Sequence, residues 1–406
     1  MKDLRWSASA RPHLTRRQAL ALGGGGALLG IVGCGGPESG ASEDHAAPTP
    51  TPIASTPRDS RAVALVRADS YDPNQVYAAL TQSFDLLGGL DGLVRGRTVT
   101  IKPNLTGIPT NTLFGRTPGE VFITHEVTLR ALTSLLFEHG AVRVRIVESI
   151  AANSDLPSVL SQLGWDLTAL NALGNIEYEN TRNLGSSTSY ADLAVPISSA
   201  PSRSVYSQFV VNRQYHDTDV LISLAKLKMH AIGGVTLSMK NLYGMTPLSL
   251  YGTERGNGEL ALGYRLPMHE GAAALPGQLA GTEGLAIASR VPRTVVDQVA
   301  ARPIDLAIVD GISSLSGGEG PWNASADNPL APTDPRIMVV GWNPVATDAV
   351  AASVMGFDPL GAAGVGPYPG DNHLALAHAR GLGEARLDQL DIRGLALADA
   401  LYPYVV

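Results

Sequence analysis

The sequence predicts an α/β fold: a mostly parallel central sheet with helices on both faces, plus loop-rich insertions. Short runs rich in Val, Ile and Leu alternate along the chain with segments of helical spacing, an order typical of parallel sheets covered by helices. The composition is that of a globular protein, with 44% hydrophobic and 17% charged residues among 406. The 44 glycines and 27 prolines predict many turns and loops.

Apolar runs that stop abruptly at a polar or charged residue predict the strands, and start and stop signals place the helices between them. One helix begins after Asp72-Pro73, and others end at Gly140, Gly164 and near Gly381. The predicted strands are Arg61–Val66, Arg97–Ile101, Val142–Val147, Val220–Leu224, Asp305–Val309 and Ile337–Val340. The predicted helices are Asn74–Leu87, Thr124–His139, Asp155–Leu163, Val235–Tyr243, Val345–Met355 and His373–Ala379. Residues 165–215 and 245–295 are rich in Gly, Ser and Asn, so we expect insertions there, one of them a hairpin or a lid.

The N-terminal 60 residues are predicted to direct export and anchoring rather than to form part of the folded domain. Residues 1–33 predict a twin-arginine signal peptide, because the TRRQAL motif precedes an apolar run too short and glycine-rich for a good membrane span. That run ends in IVGC, a lipoprotein-like box, and predicts lipidation of Cys34; the alternative is a chance cysteine. Residues 34–60 predict a Pro/Thr-rich tether and 61–406 the α/β domain. We therefore expect an exported, lipid-anchored protein that faces the periplasm or the cell exterior.

Charge and cysteine content exclude several classes of partner. The chain carries a net charge of −7, and without the leader the remainder has 25 basic and 36 acidic residues, or −11. An acidic body with 5% aromatic residues is a poor binder of nucleic acid or anionic lipid. We expect no nucleic-acid partner, and membrane contact through the lipid anchor only. The single cysteine excludes a disulfide framework and an iron–sulfur module.

Five polar residues directly follow predicted strands. The carboxyl ends of parallel strands share one edge of an open sheet, where ligands bind, so we expect these side chains to converge. The alternative is that polar residues merely end strands. The five residues are Lys102, Glu148, Lys226, Asp310 and Asn343.

Lysine usage points to the same edge. Only five of the 30 basic residues are lysines, and one of these lies in the leader. The lysine ammonium is compact, and its pKa falls on burial. The arginine guanidinium is larger and planar, and it stays charged. The remaining four are therefore predicted at positions that arginine cannot fill: Lys102, Lys226, Lys228 and Lys240.

Three of those lysines lie within 15 residues of one another. Lys226 and Lys228 would point the same way if the strand continues through them. Gly233-Gly234 precedes a predicted helix start, which is a candidate seat for an anion. The alternative is a buried structural lysine pair compensated by acids.

Histidines and carboxylates supply candidates for proton transfer and metal binding. His230 is the best placed of nine histidines because lysines surround it in sequence, and His373 comes second; no HExxH or HxH spacing occurs. Asp310 and Glu319, nine residues apart, would bind a hard cation or act as general acid and base. The alternatives are a turn-capping Asp310 and a solvated Glu319. The cofactor is therefore left unknown, with a divalent cation as one option.

Five segments occur here in an order that resembles a known family: IKPNLTG, VRIVES, DVLISLAKLKMHAIGGVTLSMKNLYG, LAIVDGISSLSGGEGPW and GWNPVATDAVAASVMGFDP. Together they resemble the bacterial and archaeal family DUF362, over roughly residues 60–380, and the lysine-rich segment is the most specific. The family is named for the absence of an assigned function, so the resemblance implies an α/β fold and motif positions rather than a reaction. Many relatives carry a cysteine-rich ferredoxin-like segment that this chain lacks, which puts an electron-transfer role in doubt. The implied motif positions are Lys102, Asn104, Glu148, Lys226, Lys228, His230, Lys240, Asn241, Asp310, Gly311, Glu319 and Asp348.

The leading hypothesis is an enzyme that acts on a small carboxylate- or phosphate-bearing molecule. A non-catalytic lipoprotein that binds a small ligand is the alternative. A redox protein ranks behind both, because the chain has no cysteine cluster and no clear GxGxxG after a strand. The predicted catalytic residues are Lys102, Glu148 and His230, the ligand-binding residues are Asn104, Lys226, Lys228, Lys240 and Asn241, and the metal candidates are Asp310 and Glu319.

Overall fold

The structure is a computed structural model that describes residues 58–106, 112–150, 154–182, 189–196, 203–253, 264–271, 275–323 and 329–405. The predicted signal peptide, Cys34 and most of the predicted tether lie outside these residues. Within them, the helices are too short or too polar to span a bilayer.

The strands are short. Their bounds are β1 Ala62–Arg67, β2 Thr98–Pro103, β3 Arg143–Glu148, β4 Ile176–Asn180, β5 Tyr190–Ala194, β6 Gln208–Asn212, β7 Val220–Lys226, β8 Met229–His230, β9 Gly234–Val235, β10 Leu306–Gly311, β11 Ser314–Ser316, β12 Ala331–Thr333, β13 Ile337–Gly341 and β14 Asp391–Gly394. Those at the centre of the main sheet, β7, β10 and β13, are buried along their whole length.

Side chains that accept the free N–H groups of the first turn begin several helices. Asp72 caps α1 and Asn343 caps α12, each followed by the proline that favours a first turn. The helices are α1 Pro73–Leu86, α2 Asp91–Val94, α3 Pro118–Val121, α4 Glu126–Glu138, α5 Leu156–Gln162, α6 Leu167–Asn171, α7 Arg213–His216, α8 Leu237–Asn241, α9 Leu248–Tyr251, α10 Leu266–Glu270, α11 Ile287–Ala301, α12 Pro344–Val354, α13 His373–Ala379 and α14 Leu397–Ala400. Among the described residues, 3₁₀ turns span Leu242–Met245, Pro321–Asn323 and Leu387–Gln389.

Eight strands form the central sheet, in the order β14-β1-β13-β10-β7-β2-β3-β4. All neighbours pair in parallel except β13, which is antiparallel to both β1 and β10. The predicted α/β fold with a mostly parallel sheet is therefore confirmed. The carboxyl ends of β2, β3, β7 and β10 lie along one edge of the sheet.

Two apolar cores cover the two faces of the sheet, and the alternation of side chains along each strand decides which core a residue joins. On β7, Leu221 packs into the core that contains α11 and α12. Ile222 and Leu224 pack into the opposite core, with α1 and α4. Lys226 follows the parity of Leu224, so its side chain lies on the α1/α4 face.

The structure departs from the predicted elements in three places. Asn343 does not join the other strand-end residues, because β13 runs antiparallel and carries its carboxyl end to the opposite edge. The predicted helix Val235–Tyr243 begins only at Leu237 and tightens into a 3₁₀ turn after Asn241. Residues 165–215 contribute the edge strand β4 and the antiparallel pair β5–β6, while 245–295 contain α9, α10 and the start of the long helix α11.

Candidate functional site

A cavity of about 460 Å³ opens at the carboxyl edge of β2 and β3, a size typical of small-molecule sites. Helix α8 and the loops after β7, β10 and α9 complete its wall. Eight of the predicted site residues line it: Lys102, Asn104, Glu148, Lys228, His230, Lys240, Asn241 and Glu319.

Lys102 and Glu148 form a buried ion pair at the base of the cavity, with Nζ 2.8 Å from Oε2. Lys102 Nζ also donates to Pro103 O at 3.1 Å and to Asn241 Oδ1 at 3.3 Å, so its three N–H groups all have acceptors. Glu148 accepts backbone N–H bonds from Leu105 and Ser149. Burial lowers the pKa of the Lys102 ammonium, and the adjacent Glu148 carboxylate opposes that shift. These hydrogen bonds hold both side chains of the ion pair in one position.

Two asparagines are held in place beside the ion pair. Asn241 Nδ2 donates to Lys102 O at 3.1 Å, and its Oδ1 accepts from Asn104 Nδ2 at 3.0 Å. Asn104 Oδ1 is buried and has no hydrogen-bond partner among the described residues. The cavity wall therefore holds an unsatisfied acceptor beside the ion pair.

Two further lysines line the cavity, and they differ in how they are held. Lys228 Nζ donates to the carbonyl oxygens of Phe122 at 2.7 Å and Glu319 at 2.9 Å. Lys240 Nζ lies 4.2 Å from the centre of the Tyr243 ring and has no hydrogen bond or ion pair with any described residue. Burial lowers the pKa of each ammonium to about 7. Lys240 is consequently a buried amine with free donors at the cavity.

Two histidines face the cavity in complementary tautomers, as their hydrogen bonds assign them. His230 Nδ1 accepts N–H bonds from Ile232 and Gly233, both at 3.1 Å, which leaves the proton on Nε2. His269 Nδ1 lies 2.7 Å from Arg265 O, a carbonyl that only accepts, so Nδ1 carries the proton and Nε2 is an acceptor. Burial lowers the pKa of His230 well below 6.5 and that of His269 to about 4, so both rings are neutral at pH 7.

Arg265 joins the loop after α8 to the end of β3. Its guanidinium donates to the carbonyl oxygens of Thr246, Gly244 and Ser149, at 2.7, 3.0 and 3.3 Å. It adds a fixed positive charge to the cavity wall. Together with the three lysines it faces only two carboxylates, Glu148 and Glu319, among the described lining residues.

Lys226 and Asp310 do not line the cavity, which corrects the expected convergence. Strand β7 ends at Lys226, and Lys228, unlike Lys226, lines the cavity. Lys226 Nζ lies 3.5 Å from Asp310 Oδ2, with both side chains fully buried on the α1/α4 face. Lys226 also donates to Tyr71 OH and to Gly119 O.

Asp310 and Glu319 belong to separate networks, so the structure does not bring the two metal candidates together. Asp310 accepts from Tyr71 OH at 2.9 Å and from Thr128 Oγ1 at 3.0 Å. Glu319 accepts from Ala231 N at 2.9 Å and Trp322 Nε1 at 3.2 Å. In the part of the chain that the structure describes, no group of three or more His, Cys, Asp or Glu side chains is arranged to hold a metal ion.

A buried carboxylate supports the start of the helix that carries Lys240. Asp348 Oδ1 accepts from Ser238 N at 2.8 Å and from Ser238 Oγ at 2.6 Å, and its Oδ2 accepts from Met239 N at 2.8 Å. Leu237, just before these donors, has a φ of +47°, a conformation that costs a side-chain-bearing residue energy. Burial without a basic partner raises the pKa of Asp348 to about 7.

His269 and Arg265 complete the site, and neither was predicted from the sequence. Both lie in the 245–295 segment, predicted only as an insertion. No local motif marks them, because their role depends on α10 folding back over the strand ends. Tyr243 was predicted only as a helix residue, although it contacts Lys240.

These observations define a class: an α/β protein with a buried, cation-rich pocket at the carboxyl ends of parallel strands. The chain belongs to the family described as a domain of unknown function, DUF362, whose family model matches residues 99–353.

Known proteins give further similarities. A thylakoid-associated protein of Synechocystis sp. is 26% identical over 302 residues, which cover 74% of this chain and 76% of that protein. The lactate racemase apoprotein of Thermoanaerobacterium thermosaccharolyticum aligns over 73% of this chain, with 13% identity and a TM-score of 0.38. A Thermotoga maritima protein of solved structure aligns over 71%, with 12% identity and a TM-score of 0.37. The chain spans only 58% and 60% of the lengths of those two structures.

Proposed function

We propose that the cavity binds a small carboxylate- or phosphate-bearing molecule and that the protein is an enzyme acting on it by proton transfer. The observation that carries the proposal is Lys240, a buried amine whose donors have no partner among the described residues. An anion in the cavity would accept charge-assisted hydrogen bonds from these free N–H groups. Lys228 and Arg265 add positive charge to the same wall.

The two histidine tautomers support the proton-transfer part of the proposal. His230 offers Nε2–H as a donor, and His269 offers Nε2 as an acceptor. The neutral His269 ring can take up a proton at Nε2, and the neutral His230 ring can hold a substrate oxygen by a hydrogen bond from Nε2–H. Lys102 and Glu148, whose hydrogen bonds are used within the protein, would position Asn241 and α8 rather than move the proton themselves.

The test of binding is calorimetric titration of the protein with butanoate and with inorganic phosphate. Lys240→Met removes the ammonium and should weaken binding about 10- to 100-fold, the range for a hydrogen bond to a charged group. Arg95→Met, on the exposed surface, is the matched control and should leave binding unchanged. Equal affinity in the wild-type protein and the Lys240→Met variant would remove the basis of the proposal.

A binding protein without turnover is the second candidate. It is favoured because Lys102 and Glu148 pair with each other inside the protein. Fewer side chains in the cavity are then free to take part in catalysis. The discriminating variant is His269→Gln, tested against the ligand that native mass spectrometry finds in protein purified from its own host. An enzyme would lose about 100-fold or more in rate with a small change in affinity, whereas a binding protein has no rate to lose.

Export with a lipid anchor at Cys34 is proposed as the setting of this site. The twin-arginine motif and the placement of the single cysteine support it. Metabolic labelling with a fatty-acid analogue should modify the wild-type chain but not Cys34→Ala. An unlabelled wild-type chain in the cytoplasmic fraction would contradict the proposal. The same mass spectrometry would detect a bound divalent cation.

A further inference from the structure

The mouth of the cavity is apolar. Four large hydrophobic side chains that line it are exposed to solvent: Tyr264 (69%), Leu266 (46%), Ile287 (38%) and Trp322 (50%). They are four of the ten exposed large hydrophobic residues in the described part of the chain. Single exposed apolar residues are ordinary, but a group around one opening indicates a contact surface for a ligand or partner.

The base of the cavity has the opposite character. Lys240, Lys228 and Arg265 gather positive charge there, and Lys240 has no acceptor among the described residues. A compact polar anion would satisfy the base and leave the mouth exposed to water. A purely apolar ligand would cover the mouth and leave the ammonium unpaired.

We infer that the ligand is an amphiphilic anion, with a carboxylate or phosphate head at Lys240 and a hydrocarbon tail across the mouth formed by Tyr264, Leu266, Ile287 and Trp322. The inference rests on the proposed function, because it concerns the same cavity. It goes further by naming the chemical class of the ligand. Carboxylate and phosphate heads share the same recognition, and the choice between them is left to the titration.

The side chain of Trp322 is held in place by a hydrogen bond and by a ring contact. Its Nε1 donates to Glu319 Oε1 at 3.2 Å, and its ring packs edge-on against Phe122 with centroids 5.9 Å apart. Glu319 is itself fixed by Ala231 N at 2.9 Å. A wall ordered in advance loses little side-chain freedom when a tail packs on it, which favours binding.

The experiment is a titration of the full chain with straight-chain carboxylates of two to ten carbons and with the matching alkyl phosphates. Each methylene buried at the mouth should tighten binding about three- to fourfold. Trp322→Ser should shrink this increment, so that decanoate loses more affinity than butanoate does. Val365→Ser, at an exposed hydrophobic residue outside the cavity lining, is the control and should leave the whole series unchanged. Lys240→Met should weaken every chain length by a similar factor.

Two results would overturn the inference without touching the proposed function. One is equal affinity for butanoate and decanoate. The other is sedimentation with phosphatidylglycerol vesicles that needs Trp322 but not Lys240, because the mouth would then be a membrane-docking rim. Failure of every anion in both series to bind would instead overturn the proposed function itself.

Discussion

Buried lysines set the charge of the pocket, and their environments assign them different roles. Lys102 is neutralised by Glu148 and Lys226 by Asp310, so these two hold the strand ends in place. Lys228 is held by carbonyl oxygens alone, and Lys240 by an aromatic ring. A buried ammonium without a carboxylate partner is the form most sensitive to pH and to an incoming anion.

Binding of an anion should be coupled to proton uptake. Burial lowers the pKa of Lys228 and Lys240 to about 7 in the empty pocket, and an anion favours the charged forms and raises both values. The association constant for butanoate should therefore be flat below about pH 7 and fall above it, by up to tenfold per pH unit for each lysine. Calorimetry between pH 6 and 9 measures the slope of the logarithm of the association constant against pH. Lys240→Met should make this slope less steep by up to one logarithmic unit per pH unit. An affinity that is independent of pH from 7 to 9 would contradict the assignment.

Asp310→Asn should destabilise the protein strongly. The change leaves Lys226 buried without its carboxylate, and breaking a buried pair in this way costs about 3–5 kcal/mol in the free energy of unfolding. Chemical denaturation measures the loss. The double variant Lys226→Met/Asp310→Leu should recover only part of it, because no buried charge remains but Tyr71 OH and Thr128 Oγ1 lose their acceptor. A loss under about 1 kcal/mol in Asp310→Asn would mean that the pair is solvated or already neutral.

At the scale of elements, the site depends on how closely α8 and the turn after it approach the strand ends. Asp348 fixes the start of α8, and Gly244 follows its end. A Cβ atom on Gly244 would lie 2.7 Å from Glu148 Oε1 and 2.8 Å from Lys102 Nζ. Glycine is therefore needed at this position for close approach rather than for an unusual φ angle.

Gly244→Ala should both destabilise the fold and weaken anion binding. The added methyl group must displace the Lys102–Glu148 pair or the turn whose carbonyl accepts from Arg265, at about 1–3 kcal/mol. Gly92→Ala in α2 is the matched control, because its Cβ would meet no atom within 4 Å, and it should be neutral or slightly stabilising. Thermal unfolding and butanoate titration of both variants check this. Equal behaviour of the two would mean that the turn relaxes freely.

The buried parallel strands were predicted well from the sequence, because short runs of Val, Ile and Leu that end at a polar residue are typical of such strands. It did not predict the edge strands β4 and β14, whose sequences IEYEN and DIRG carry charges. It also did not predict the reversed direction of β13, because strand direction depends on chain connections rather than on composition. Lys226 was wrongly predicted at the cavity because side chains alternate between the two faces of a strand, and Lys226 lies on the same face as Leu224.

At the scale of the whole domain, the topology concentrates the chemistry. Residues from β2, β3 and the loops after β7 and β10 meet because those strands are adjacent and parallel. The segment that looked like an insertion then closes the cavity with Arg265 and His269. Ligand sites at the carboxyl ends of neighbouring parallel strands are a general property of such sheets. Here that edge combines a cationic base with an apolar mouth.

The most direct test of the account is a crystal structure of the protein bound to octyl phosphate. We expect phosphate oxygens within about 2.7–3.2 Å of Lys240 Nζ, the ordinary range for such hydrogen bonds, with the alkyl chain against Trp322 and Leu266. Phosphate bound elsewhere while the cavity holds only water, or Lys240 Nζ paired with a protein carboxylate, would contradict it.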